Sequence, residues 1–408
     1  MIDAAGLVAA AEPAALLPAR RAEEAARMSR PLRLIEDRWL GSSPHGELHH
    51  LLIEDGRGIR YGIPSVVGPD SIRRAVPGDG AASSVVASID PAARGRERGI
   101  PVDQTNELVV VGDAFVVKWY LNPAVEGEAL HRMDLLATAG FTGTPAVLGR
   151  LLSSGGQLTA LVMAYRAGAS DGWEWLVDDV RAGARGEDSE DPAAISTVGD
   201  LVARLHLAFS AEGVGHASVE DARRWHAAAL ADVEGAGLDD DLSVRVRERL
   251  APIEGAAGTP TIPIHGDLHV GQVLRSSGKR YDLIDFDGNP VLPAAERFAP
   301  APAARDVAGM LASLDHVGRV VMHRAEDLDD RGRRRVLEWI PVAQAAFLGA
   351  YESRLASAGA LDLLDRSLLV PFMVQQECRE YIYAARYLPH WRYVPDAALP
   401  GLLTKESM

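Results

Sequence analysis

The chain has 408 residues, with 57 Asp+Glu against 42 Lys+Arg and a formal charge of −15. Its 47% hydrophobic and 24% charged residues exclude wholesale disorder, and the acidic balance argues against a nucleic-acid binder, whose target demands clustered Lys and Arg. The one cysteine, Cys378, excludes an intrachain disulfide and a thiolate zinc site, so the chain reads as cytoplasmic.

Residues 1–30 carry an apolar stretch interrupted by Asp3, Glu12 and Pro13. No basic residues precede it, so it lacks the pattern of a secretory signal and reads as a surface helix or a flexible arm. No run of ~18 apolar residues suggests a membrane span. From Arg33 to Gly68 short apolar runs alternate with Gly, Pro, Ser and Asp, which predicts a meander of antiparallel strands. The stretch VPGDGAASS (76–84) reads as a boundary, and His49-His50 as surface residues. LVVVGDAFVVKWY (108–120) gives two β-branched runs joined by Gly112-Asp113, a hairpin pattern. PAVEGEALHRMDLLATAG (123–140) predicts an amphipathic helix closed by Gly140, and QLTALVMAY a further strand. Beyond Asp171-Gly172-Trp173 the pattern turns helical at 198–210, 305–321, 333–359 and about 362–387. Strands followed by runs of helices predict an α+β architecture in two lobes. The expected domains are an N-terminal cap (1–86), a nucleotide-binding N-lobe (87–168) and a helical C-lobe (169–408).

The stretch IPIHGDLHVGQVLRSSGKRYDLIDFDGNP (262–290) carries the densest chemistry. Asp267 sits in His-Gly-Asp, Gln272 follows five residues later, and Asp285 ends the apolar run YDLID. One carboxylate on a loop and another at a strand end suit phosphoryl transfer: Asp267 to accept a hydroxyl proton, Asp285 with the Gln272 amide oxygen to hold Mg²⁺ on nucleotide phosphates. His269 belongs to the same constellation. Asp287 is either a second metal ligand or a loop-capping carboxylate. Lys118, on the second strand of the hairpin, supplies a point charge for phosphates or else protects a sheet edge. Its helical partner would be Glu126 or Glu128, between which spacing does not decide. Neither G-x-G-x-x-G nor G-x-x-x-x-G-K-[ST] stands at a strand–helix junction. The polar stretch Asp103-Gln104-Thr105-Asn106 precedes the hairpin instead, a weak candidate for phosphate contact.

HGDLHVGQVLR, IDFDGNP, AERFAPAPAARDVAGMLASLDH and DGWEWL resemble the bacterial maltokinases, within the aminoglycoside-phosphotransferase-like, eukaryotic-like kinase group. The resemblance runs in order over roughly residues 100–400. It implies a bilobal protein-kinase-like fold with an N-terminal cap subdomain and a small-molecule kinase using ATP and Mg²⁺. In that light Asp267 is similar to the family's catalytic base, Gln272 and Asp285 to its Mg²⁺ ligands, and Lys118 to its nucleotide-phosphate lysine. The segment QQECREYIYAARYLPHWRYVPDAAL (375–399) departs from the maltokinase pattern: the turn Leu388-Pro389-His390-Trp391 survives, but the lysine is absent. This variant looks like the maltokinase-like group assigned as glucosamine kinases.

Helical spacing puts Glu377, Glu380, Tyr381 and Ala384 on one face. There two carboxylates could pair with a sugar ammonium, Tyr381 offers a hydroxyl, and Trp391 could lie against a pyranose ring. The alternative pairs the glutamates with Arg379 and Arg386 and leaves Trp391 in the core. Asp171 and Trp173 are read as contacts to nucleotide or sugar, or as packing at the hinge. His206 is expected to be a satisfied core histidine, Asp306 to cap its helix or brace the catalytic loop, and Arg305 to reach an anion or an ion pair. The expectation is an ATP-dependent glucosamine kinase giving glucosamine 6-phosphate, with a maltokinase making maltose 1-phosphate, or another aminoglycoside-phosphotransferase-like small-molecule kinase, as the alternative. The expected partners are the sugar and ATP, without nucleic acid or membrane, in a monomer or weak homodimer.

Overall fold

The computed structural model describes residues 3–100, 106–187, 191–290 and 292–404, and only the backbone of residues 20, 124–128, 191 and 294. The chain divides into two compact units, Met1–Met133 with Pro145–Ala167, and Asp134–Thr144 with Gly168–Met408.

The first unit begins with three short helices, α1 (Ala4–Ala10), α2 (Pro13–Leu16) and α3 (Ala22–Arg27). They precede an antiparallel sheet of β1 (Arg33–Ser43), β2 (Gly46–Glu54), β3 (Arg60–Val67) and β4 (Ile72–Arg74), paired in that order. Strands β2 and β3 are buried along most of their length because the sheet is covered on both faces. Leu51, Ile53 and Ile63 pack with Val8, Leu16 and Leu17 of the N-terminal segment. The described part of the stretch read as a surface helix or a flexible arm thus contributes Val8, Leu16, Leu17 and Met28 to a core. Leu48 and Val66 pack instead with Val85 and Val86 of α4 (Ala81–Ile89). That helix occupies half of the stretch read as a boundary; Gly80 starts it at φ 101°, and a run of small residues lets it lie close to the strands.

The His49-His50 pair is also interior. His49 bonds Asp37, and the His50 ring stacks on Trp119 at 5.9 Å. Burial holds His50 at about 4, neutral at physiological pH. The second sheet has the order β5-β6-β7-β9-β8, from β5 (Glu97–Gly99), β6 (Glu107–Val111), β7 (Phe115–Trp119), β8 (Val147–Leu152) and β9 (Leu158–Ala164). The hairpin at Gly112-Asp113 joins β6 to β7, and α5 (Pro123–Thr138) follows.

In the second unit come α6 (Gly172–Arg185), α7 (Asp191–Ser210), α8 (Val219–Ala236) and α9 (Asp240–Leu250). The short strands β10 (Gly215–His216) and β11 (Pro260–Thr261) pair with each other, as do β12 (Val273–Ser276) and β13 (Arg280–Leu283). The chain ends with α10 (Ala294–Arg297), α11 (Ala304–Arg324), α12 (Asp330–Ser357), α13 (Leu369–Arg386) and α14 (Tyr393–Thr404). Helix α11 is buried over most of its length and packs against α6, α12, α13 and α14. Among the described residues, no helix is long and apolar enough to cross a membrane.

Candidate active site

The loop from Ile262 to Gln272 is held through its backbone. Gly266, at φ 84°, turns the chain where a side chain would be strained. Asp306, in the first turn of α11, accepts the His265 amide at 2.7 Å and the Gly266 amide at 2.9 Å. His206 Nε2 lies 3.1 Å from the same carboxylate, and the Tyr351 hydroxyl 2.7 Å from His206 Nδ1. Asp306 therefore braces the loop, and His206 is a fully buried, bonded core residue. The Val270 amide donates to Ser313 Oγ at 3.1 Å. Two glycines allow close approach: a Cβ at Gly309 would stand 2.5 Å from the Leu268 carbonyl oxygen, and one at Gly172 2.1 Å from that of Val270.

After Asp267, His269 opens a 3-10 turn (Val270–Gln272) and accepts the Gly271 amide on Nδ1 at 3.1 Å. Pairing of Val273 with Leu283 sets the register of the hairpin that follows, and the Ile284 amide donates to the Gln272 carbonyl at 3.0 Å. Gln272 and Asp285 thereby meet at one end of the β12–β13 hairpin. His265 Nε2 donates to the Ile284 carbonyl at 2.8 Å, tying the residue before Asp285 to the loop that carries Asp267. Asp285 itself sits at φ 65°, a left-handed conformation that a non-glycine residue holds only when its neighbours enforce it. Burial, and then the charge of Asp285, push the Asp267 carboxyl up to about 6, against the pull of His265 and Arg379. Asp287 lies half-buried two residues beyond Asp285.

Gln272 and Asp285 offer an amide oxygen and a carboxylate, both hard donors. Among the described residues, no cluster of three His, Cys, Asp or Glu could hold a metal by itself. A pair of oxygen donors fits Mg²⁺, which keeps few protein ligands and takes the rest from water and phosphate.

The residues assigned to the acceptor divide into two groups. Glu380 accepts the Trp391 indole N–H at 2.8 Å and the Gln376 amide at 2.9 Å. Trp391 meets Trp173 edge-on at 5.8 Å, and Trp173 tilts against His269 at 6.3 Å, so an aromatic row joins the turn after α13 to the loop that carries Asp267. Asp171 caps α6, accepting the Trp173 amide at 2.8 Å and the Glu174 amide at 3.2 Å. Glu377 and Tyr381 do not join Glu380. Glu377 is buried and bonds His316 of α11 at 2.8 Å, while the Tyr381 hydroxyl donates to Asp396 of α14 at 2.9 Å. The helical face is the expected one, but neighbouring helices cover both residues. Burial alone would lower His316; Glu377 opposite outweighs it and raises His316 to about 9.

Arg379 and Gln375 both bind Asp232 of α8, at 2.9 and 2.8 Å. Asp232 escaped the sequence reading because nothing in ADVEGA marks it. The Arg305 guanidinium lies 4.7 Å from the Phe372 ring centre and 5.4 Å from that of Trp225, and its Nε has no hydrogen-bond partner among the described residues.

In the first unit, Lys118 occupies the middle strand of five, paired with Leu108 and Leu161, so it does not guard a sheet edge. It is buried, with Nζ 5.5 Å from the Tyr120 ring centre. The side chains of Glu126 and Glu128 lie outside the described residues, as do Asp103, Gln104 and Thr105.

Comparison with known proteins matches residues 97–339 to the phosphotransferase enzyme family. A glucosamine kinase from Streptacidiphilus jiangxiensis is 45% identical over 97% of this chain and 97% of its own length. Another from Mycolicibacterium smegmatis (strain ATCC 700084 / mc(2)155) is 42% identical, over 81% of this chain and 90% of its own. A solved glucosamine kinase in complex with glucosamine, ADP and inorganic phosphate superposes with a TM-score of 0.81 at 41% identity, covering 98% of this chain and 99% of that one. The α+β architecture expected from the order of strands and helices, and the kinase-like fold that the resemblance implied, are the ones these similarities carry, and the chain belongs to the phosphotransferase enzyme family.

Proposed function

We propose that the protein is a glucosamine kinase, transferring the γ-phosphoryl group of ATP to the 6-hydroxyl of glucosamine. The observation that carries this reading is Asp267, a carboxylate raised towards neutrality by burial and by Asp285, on a loop fixed by Asp306. The kinship with glucosamine kinases supplies the acceptor.

Asp267 accepts a hydrogen bond from the acceptor hydroxyl and takes its proton as that oxygen bonds to the γ-phosphorus. The bond to the bridging oxygen of ADP breaks in line, and ADP leaves. Gln272 and Asp285 would hold Mg²⁺, which when bound neutralises charge on the phosphates. Lys118 is the candidate for a further cation on them. Glu380 would meet the sugar ammonium, and Trp391 would flank the ring. Glu377 and Tyr381 support that surface from behind. Because little covalent chemistry falls to the protein, positioning and charge do most of the work.

The test is an acceptor screen with Mg-ATP over glucosamine, glucose, maltose and an aminoglycoside, with the product identified by NMR. Glucosamine 6-phosphate as the preferred product is expected. Equal kcat/KM for glucose and glucosamine, or transfer to maltose at its anomeric position, overturns the acceptor assignment.

A further inference from the structure

Tyr351 of α12 is fully buried, and its hydroxyl has one polar contact among the described residues, His206 Nδ1 at 2.7 Å. His206 in turn reaches Asp306, whose two oxygens receive the amides of His265 and Gly266 immediately before Asp267. We propose that the Tyr351 hydroxyl is a positioning group for phosphoryl transfer. By donating to His206 Nδ1 it fixes the imidazole with its proton on Nε2, where that proton meets Asp306. The inference rests on Asp267 being the base.

Donors and acceptors decide the direction. A neutral imidazole has one N–H and one lone pair. With the proton on Nε2, every group is used: the Tyr351 O–H donates to Nδ1, Nε2–H donates to Asp306 Oδ2, and Oδ2 and Oδ1 also accept the two loop amides. With the proton on Nδ1, the Nε2 lone pair would face the Asp306 carboxylate at 3.1 Å, two acceptors opposed. If His206 carried both protons, Tyr351 would accept and its own proton would have no acceptor among the described contacts. Burial keeps the Tyr351 proton in place, since it raises the phenol well above 10. The ring is held edge-on to His206 at 5.6 Å and stacked on Phe347 at 6.3 Å, which fixes the direction of its hydroxyl. The reach extends further, because His265 bonds the carbonyl of Ile284, the residue before Asp285. One hydroxyl thus biases the backbone on which both carboxylates sit.

The experiment combines a double-mutant cycle with a spectroscopic reading. Tyr351→Phe keeps the ring and removes the donor. Kcat is expected to fall about 10- to 100-fold, the usual cost of losing an outer-shell orienting partner, with KM for glucosamine and ATP within about twofold. His206→Gln supplies an amide N–H to Asp306 without needing a fixed tautomer. In that background Tyr351→Phe is expected to cost almost nothing further, whereas a purely packing role for Tyr351 gives additive losses. In ¹⁵N-histidine-labelled wild-type protein, His206 is expected to show a bare Nδ1 and a protonated Nε2, a reading that needs no folded Tyr351 variant. A protonated Nδ1, an unchanged kcat in Tyr351→Phe, or additivity overturns the inference. Asp267→Asn is run alongside: full turnover there would overturn the assignment of the base itself, while an inactive Asp267→Asn with an unaffected Tyr351→Phe would overturn the positioning role alone.

Discussion

Between His265 and Gln272 the chain is held through its backbone, by amides given to one buried carboxylate and carbonyls pressed close to two glycines. Between Gln375 and Trp391 it is held side chain to side chain: Glu380 with Trp391, Glu377 with His316, Tyr381 with Asp396, and Arg379 with Asp232. A loop fixed by main-chain bonds keeps its shape while side chains around it change. A helix end fixed by side-chain pairs is rebuilt whenever one member changes. Under the proposed function, the contrast puts invariance with the chemistry and adjustability with the acceptor.

The strongest way to break the comparison is at Asp267. Asp267→Asn is expected to lower kcat on the order of 10²–10⁴-fold in a coupled ATP assay, with thermal unfolding unchanged. The same residue sets a pH limb. As the proposed base it must be ionised, so kcat/KM is expected to fall as pH drops through about 6, and through a lower value once a cation on Asp285 offsets that charge. Next in size is Asp306→Ala, which strands two buried amides and His206. A loss of about 3–5 kcal/mol in urea unfolding is expected, together with a fall in kcat. Unchanged stability and turnover would mean the loop does not depend on its backbone clamp.

On the other side of the comparison, Trp391→Ala is expected to raise KM for glucosamine about tenfold, within the ~0.5–1.5 kcal/mol of an aromatic contact, and to leave KM for ATP alone. An equal rise in both would erase the distinction between the regions. The smallest effect concerns the His316–Glu377 pair. His316 binds its proton more tightly in the folded protein, at about 9 against 6.5 when unfolded. Its contribution to stability is therefore whole below pH 6.5 and fades as pH rises through about 9. Glu377→Gln should flatten that part of the urea midpoint against pH.

The hairpin that carries Lys118 was legible from its two β-branched runs, because local pairing follows from local pattern, and so was a strand end at Asp285. That Gln272 lies opposite that strand end was not, since the β12–β13 pairing that sets it appears only in the folded chain. The burial of His49 and His50 was not legible, since a second covering layer exists only in the folded chain. The N-terminal helices are too short to show an apolar stripe, and α4 hides behind glycines that end where it starts. For Glu377 and Tyr381 the helical spacing told which face they share. It could not tell that α11 and α14 lie over that face. Asp232, from another helix, left no trace in the segment it anchors.

Gly309 stands inside α11, where alanine would ordinarily be favoured by about 1 kcal/mol, and Gly172 opens α6. What each would strike is a peptide oxygen, and no rotamer change moves a peptide oxygen aside. In a library of random variants these two positions should tolerate almost nothing, while exposed positions between 376 and 391, such as Tyr383 and Tyr387, accept exchanges. Under the proposed function, new acceptor preferences are reached around the half-buried Glu380 and Trp391, and the two missing methyl groups set the boundary beyond which such rewriting costs the reaction itself.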